Sequence, residues 1–174
     1  MPKASPSNSE WLTRKQRIDG QLSAAGWRVV PFSADARAFA AGCCAVEELE
    51  TTNGPADYAL CVNGQILGVV EAKKLTLGPQ NVLSQAERYA RGIRQPELTS
   101  NGFGVPFLYS TNGEVIWFHD VRQELNRSRQ IYGFHTPEAL REQLQRKFDD
   151  ATGQLLATPN NNPRLRPRSA SVSE

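Results

Sequence analysis

Three side chains in the middle of this 174-residue chain have the types and spacing to do chemistry. Asp57 sits in Gly54-Pro55-Ala56-Asp57-Tyr58. After an apolar stretch, Asn63-Gly64 and a second apolar stretch comes Glu71-Ala72-Lys73. Two carboxylates can hold a hard divalent cation, and a lysine beside them can stabilise charge on a phosphate. An Asp followed on the next strand by Glu-x-Lys is therefore a candidate for metal-assisted phosphodiester cleavage. The plain alternative is an exposed ion pair on a solvated strand face. Against it, Glu71 ends the run Leu67-Gly68-Val69-Val70, which reads as a buried central strand. Charge at the end of such a strand is costly without a partner or a task.

Sheet geometry makes a demand on this pair. Side chains alternate between the two faces of a strand. With a plain two-residue Asn63-Gly64 turn, Val62 faces Gln65 and Asp57 faces Val70, which sends Asp57 and Glu71 to opposite faces. One extra residue in the hairpin brings them together. The sequence thus predicts a longer loop or a β-bulge, with Gly64 or Gly68 as its site.

The remaining elements must carry this hairpin. Ser7 and Glu10 have capping-box spacing, and a first helix is expected to about Ala25, with Trp11, Ile18, Leu22 and Ala25 on one face and Gly26 as the stop. Residues 34–42 are Ala-rich and ambiguous. Strands are expected at about 43–51, 56–62, 66–73, 105–110 and 114–119, the last two joined through Asn112-Gly113. A second helix begins near Pro79, with Val82, Ala86, Tyr89, Ala90 and Ile93 inward. Thr136-Pro137-Glu138 opens a last helix lined by Leu140, Leu144 and Phe148. This order is an α/β domain, a central mixed sheet flanked by helices. Residues 1–8 and 151–174 are Pro-, Ser-, Asn- and Arg-rich and are expected to be disordered around a domain at 9–150.

On the second helix Gln85 and Tyr89 are neighbours at i, i+4. Taken singly they read as surface and core. Arg88, Arg91 and Arg94 form a basic stripe that suits phosphates, though a solvated helix face is as common. Arg88, Arg91 and Lys74 are the candidate DNA contacts. Arg14, Lys15 and Arg17 give the first helix a basic side that could face DNA or a partner. Glu47 and Glu48 are adjacent, so one of them shares the face of Asp57, and the sequence leaves open which. Glu10 is read as a cap, not a third acid.

Composition sets the wider bounds. Net charge is only +2, so nucleic-acid binding requires a local basic patch. No stretch approaches the roughly 18 apolar residues of a membrane span. No leader pattern stands at the N-terminus, so a cytoplasmic location is expected. Cys43, Cys44 and Cys61 lack zinc spacing and read as reduced residues filling small apolar positions. His119 and His135 have no partner at ligand or triad spacing, and read as loop or strand-edge residues.

Taken together, these segments resemble a known family. Glu10-Trp11-Leu12-Thr13-Arg14 with Ile18-Asp19 and Gly26-Trp27, Gly54 to Tyr58, Gly68 to Lys74, Gln85-x-x-x-Tyr89, and Pro106 to Gly113 before Ile116-Trp117-Phe118 look like the N-terminal endonuclease domain of the type I restriction enzyme R subunit. That domain belongs to the PD-(D/E)xK nuclease superfamily. The resemblance covers about residues 9–150, with Pro55-Ala56-Asp57 in place of Pro-Asp. It implies a restriction-endonuclease-like fold and Mg²⁺, or Mn²⁺, on Asp57, Glu71 and the Ala72 carbonyl. Lys73 would orient or help activate the attacking water, while Gln85 and Tyr89 would position the lysine or the DNA backbone. Double-stranded DNA and the methyltransferase and specificity subunits are the implied partners.

In the family the R subunit continues into ATP-driven translocase domains. This chain has no G-x-x-x-x-G-K-[ST] phosphate loop, so ATP is expected only in the full-length subunit. Asn162 to Pro167 looks like the approach to a translocase domain, and the expectation is a truncated R subunit. Two functions follow: a Mg²⁺-dependent DNA endonuclease domain, or a non-cutting assembly module that binds DNA or the other subunits. A nuclease acting on other nucleic acids is a weaker third.

Overall fold

A computed structural model describes residues 14–33, 42–73 and 83–146. The expectations for Trp11, residues 34–41, Lys74, the start of the second helix, Phe148 and both termini lie outside the described residues. Contacts divide the chain into units at 1–144 and 145–174.

Seven strands form one sheet in sequence order: β1 (Arg28–Pro31), β2 (Cys43–Leu49), β3 (Ala56–Val62), β4 (Gln65–Ala72), β5 (Phe107–Thr111), β6 (Ile116–Asp120) and β7 (Arg129–Ile131). β1 runs parallel to β2 and β4 to β5, while the other neighbours are antiparallel. The sheet is thus mixed, with helices on it, as the residue order predicts. A parallel pair needs a long crossover, and between β4 and β5 it contains α2 (Leu83–Arg91). β3 and β5 are buried throughout. They are central strands covered on both faces, which explains their unbroken apolar character.

Each face carries its own core. On one, Ile18 of a π-helical turn (Arg14–Ile18), Leu22 of the α1 helix that follows it (Asp19–Ala24) and Leu140 of α3 (Pro137–Gln145) pack on Tyr58, Leu60, Phe107 and Phe118. On the other, Ala86, Tyr89, Ala90 and Ile93 of α2 and its extension pack on Ala59, Cys61, Val69 and Leu108. Gly26 stops α1 at φ 89°, with Trp27 N–H returning to the Leu22 carbonyl at 3.0 Å. Thr136 caps α3 through the Ala139 N–H at 3.2 Å.

Two strands escaped the sequence reading. β1 and β7 are short and mostly exposed edges, with patterns that show no clean alternation. The β5–β6 hairpin is closed by a longer loop than a two-residue turn, since Thr111 pairs with Ile116. Asn112 Oδ1 accepts the Glu114 and Val115 N–H groups at 3.1 and 2.9 Å and shapes that loop. Among the described residues no helix is long and apolar enough to cross a membrane.

The cysteines pack as small apolar groups. Cys44 and Cys61 stand opposite each other in β2 and β3, both buried and both free. The hydrogen bond with Cys44, followed by burial, pushes the Cys61 thiol up. His135 has a structural role that spacing did not show. Its Nδ1 meets the Tyr109 hydroxyl at 2.7 Å, and its carbonyl accepts Trp27 Nε1 at 2.8 Å.

The loop before β3 leans on the end of α2. Thr52 N–H and Oγ1 reach the Gly92 carbonyl at 3.2 and 3.1 Å. A Cβ on Gly92 would stand 2.8 Å from Thr51 Oγ1 and 2.9 Å from Asn53 N. Gly92→Ala is therefore expected to destabilise the protein by about 1–3 kcal/mol, measured as a shift in the urea midpoint. An unchanged midpoint would contradict the close approach. Burial, then Arg129, lowers the pKa of His135. The unfolded chain then binds the extra proton first, so stability is full above about pH 6.5 and falls as pH drops below it. Thermal melts from pH 7.5 to 5.5 are expected to show this loss, with His135→Gln showing less of it. Equal loss in the variant would assign it to other groups.

Candidate metal and nuclease site

The β3–β4 hairpin satisfies the demand its acids make. Asn63 and Gly64 form a two-residue turn with positive φ at both, 48° and 82°, and Val62 pairs with Gln65. Cys61 then pairs with Ile66, but Leu60 pairs with Gly68, so Leu67 is an extra residue in β4. The bulge lies at Ile66–Leu67, just before Gly68 and away from the turn itself. Beyond it, Ala59 faces Val69 and Tyr58 faces Val70. One further step sets Asp57 across from Glu71.

Directly opposite residues share a face. Asp57 follows the parity of Ala59 and Cys61, and Glu71 that of Val69, so both acids point to the α2 side of the sheet. Asp57 is 4% exposed and Glu71 0%. Asp57 Oδ2 accepts the Ala72 N–H at 2.8 Å, tying the start of β3 to the end of β4. Lys73 Nζ donates to Glu71 Oε1 at 2.8 Å. The Lys73 N–H bonds the Thr111 carbonyl at 2.8 Å, so the lysine leaves the sheet from a fixed point beside the end of β5.

Tyr89 lies in the core on this same face, and Gln85 is half-buried one turn before it. A Cβ on Gly54 would come 3.6 Å from Tyr89 Cε1, which places the ring against the loop that leads to Asp57. Arg88 and Arg91 have intramolecular tasks. Arg88 Nε and a terminal guanidinium nitrogen donate to the Asn53 carbonyl at 3.1 and 2.8 Å, while Asn53 returns a bond to the Arg88 carbonyl at 2.8 Å. Arg91 lies 4.0 Å over the Phe103 ring. The first helix also differs from a free basic side. Lys15 pairs with Glu47 and with Asp19, at 3.2 Å for the latter, and Arg17 pairs with Glu114 at 2.8 Å.

Glu47 takes the face away from Asp57. Glu47 stands opposite Tyr58, which bonds Asp19 on the other face at 2.6 Å. Glu48 lies between the Glu47–Tyr58 and Leu49–Ala56 pairs and adopts φ 51°, a left-handed conformation that costs a non-glycine residue about 1–2 kcal/mol. Among the described residues no three His, Cys, Asp or Glu side chains gather into a metal cluster. Asp57 and Glu71 are the two buried carboxylates on this face. Two buried carboxylates on one face are donors of the kind a hard cation takes, so their chemistry fits Mg²⁺ or Mn²⁺.

Ser110 was not singled out by the sequence. It pairs in register with Glu71 across β4–β5, on the same face, and its hydroxyl is buried with no hydrogen-bond partner among the described residues. Tyr109-Ser110 alternation shows that Ser110 opposes the Tyr109 face. Only the parallel pairing, invisible in the sequence, puts it beside Glu71.

Residues 28–144 match the family described as the type I restriction enzyme EcoKI endonuclease subunit second domain. The type I restriction enzyme EcoKI endonuclease subunit of Escherichia coli is 30% identical over 73% of this chain. The chain spans 15% of that relative's length. A solved fragment described as an HsdR subunit of a type I restriction enzyme from Vibrio vulnificus shares the fold, with TM-score 0.58 and 24% identity over 80% of this chain and 26% of that one. The fold is thus the restriction-endonuclease-like mixed sheet, and the chain belongs to the family of type I restriction enzyme endonuclease-subunit domains.

Proposed function

We propose that this chain is a Mg²⁺-dependent DNA endonuclease domain of a type I restriction R subunit, hydrolysing phosphodiesters of double-stranded DNA. The observation that carries the reading is the bulge-set register. It puts Asp57 and Glu71 on one face, with Lys73 Nζ 2.8 Å from Glu71. Asp57, Glu71 and the Ala72 carbonyl are the oxygens that would hold the cation. A bound divalent cation supplies Lewis-acid polarisation of the phosphoryl group and acidifies adjacent water.

The chain's own groups do the rest. As an ammonium paired with Glu71, Lys73 is a donor. That suits it to orient or help activate the attacking water and to stabilise charge growing on the phosphate oxygens. Water oxygen bonds phosphorus as the ester P–O bond breaks; the proton the water gives up passes to solvent, and the leaving alkoxide takes one up from solvent. Gln85 and Tyr89, on the helix over this face, would position the lysine or the DNA backbone. Arg88 and Arg91 act first through the protein: Arg88 braces the loop before Asp57. Lys74 is a further candidate for the backbone of DNA. The expected setting is cytoplasmic, with the methyltransferase and specificity subunits as partners and ATP used only by translocase domains of a full-length subunit.

A second reading is favoured by one observation. Arg88 and Arg91 are committed within the fold, so fewer cations remain to grip DNA, whose binding depends on neutralised phosphates. On that reading the domain is a non-cutting module that assembles with DNA or its partner subunits.

Nicking of supercoiled plasmid with Mg²⁺ or Mn²⁺ tests both. The endonuclease reading predicts cleavage that falls about 100-fold or more in Asp57→Ala and in Lys73→Ala. Cleavage unchanged in both variants would contradict it. No cleavage by the wild type, together with no Mn²⁺ binding, would select the module.

A further inference from the structure

We infer that Gln95 is a positioning residue for the acid pair, its side-chain amide holding the β4 bulge that sets Glu71 across from Asp57. Gln95 lies far from the acids in sequence and on neither of their strands. Its Oε1 accepts the Ile66 N–H at 2.8 Å, and its Nε2 donates to the Ile66 carbonyl at 2.8 Å. Ile66 is the last residue paired with β3 before the register shifts. Both polar groups of one backbone unit, at the bulge, are thus taken by a single side chain.

The location explains why a side chain is used. Pairing between β4 and β5 starts at Gly68 with Phe107, so Ile66 lies beyond the reach of that ladder. A bulge disrupts the ladder locally, and backbone groups left without partners in a half-buried strand are costly. The amide of Gln95 has one donor end and one acceptor end, and it stands where a neighbouring strand would. Nε2 also reaches the Gly104 carbonyl at 3.1 Å, joining the bulge to the segment that leads into β5.

The backbone of Gln95 is itself fixed. Its carbonyl accepts the Leu98 N–H at 3.0 Å and Thr99 Oγ1 at 2.9 Å, in the 3₁₀ turn that follows α2. The amide is therefore aimed by structure on both sides. Removing the bulge would pair Leu60 with Leu67, Tyr58 with Val69 and Asp57 with Val70. Glu71 would then leave the face of Asp57. A side chain at the far end of the strand in this way determines whether the acids share a ligand.

Gln95→Leu removes the amide at similar size, and Gln95→Glu keeps the acceptor for Ile66 N–H while losing the donor. Three readouts apply: backbone nuclear Overhauser contacts between β3 and β4, exchange of the Ile66 amide, and Mn²⁺ affinity by electron paramagnetic resonance. Expected for Gln95→Leu are faster Ile66 exchange, contacts of Tyr58 moving from Val70 toward Val69, and Mn²⁺ binding at least tenfold weaker. Native contacts, native exchange and native affinity in a folded Gln95→Leu would overturn the inference. If Gln95→Leu does not fold, Gln95→Glu decides on the same criteria: faster exchange with shifted contacts supports the role, and wild-type values refute it. Only the Mn²⁺ readout rests on the proposed metal site. Wild-type protein that binds no Mn²⁺, or Asp57→Ala that binds it normally, would fail that reading, while the contact pattern would still decide the role of Gln95.

Discussion

Side chains on a strand alternate between faces, so register settles whether residues on neighbouring strands can act on one ligand. In this protein a single additional residue, Leu67, sets that register between β3 and β4. A strict two-residue hairpin would divide Asp57 from Glu71. The bulge reunites them on the face covered by α2, and the groups around it serve that arrangement. Asp57 binds the Ala72 N–H, Lys73 is anchored to Thr111 at the end of β5, and the Gln95 amide closes on Ile66.

The second constraint is burial. Glu71 is fully covered and Asp57 nearly so, and isolated carboxylates in such places are expensive. Burial is tolerated here through directed partners: a backbone N–H for Asp57 and the Lys73 ammonium for Glu71. Low exposure also strengthens every electrostatic interaction in the site. The arginines of α2 that look like a phosphate-binding stripe stay exposed yet make contacts within the protein. Arg88 holds the Asn53 carbonyl of the loop entering β3, so its effect reaches Asp57 through the backbone.

How much of this the sequence revealed depended on whether a residue's partners were local. The alternation argument needed only Asp57, the turn and Glu71, and from these it required an extra residue. It could not choose the bulge site, because Gln95, the side chain that braces Ile66, comes from a segment beyond α2. Gly26, Thr136 and Pro137 act within a turn of their own positions and were legible. β1 and β7 were not, since short exposed edges lack the apolar rhythm that marks a strand. Ser110 became visible only through parallel pairing with Glu71, and His135 only through Tyr109 and Trp27. The left-handed φ of Glu48 has no sequence signal, and nothing in the structure explains it.

The most direct test of the central claim is a crystal structure grown with Mn²⁺, with data collected at the manganese absorption edge. The account predicts an anomalous peak between the carboxylates of Asp57 and Glu71, on the α2 face, with Leu67 bulged out of the ladder. Asp57 and Glu71 on opposite faces, or manganese bound elsewhere with this pair empty, would contradict it.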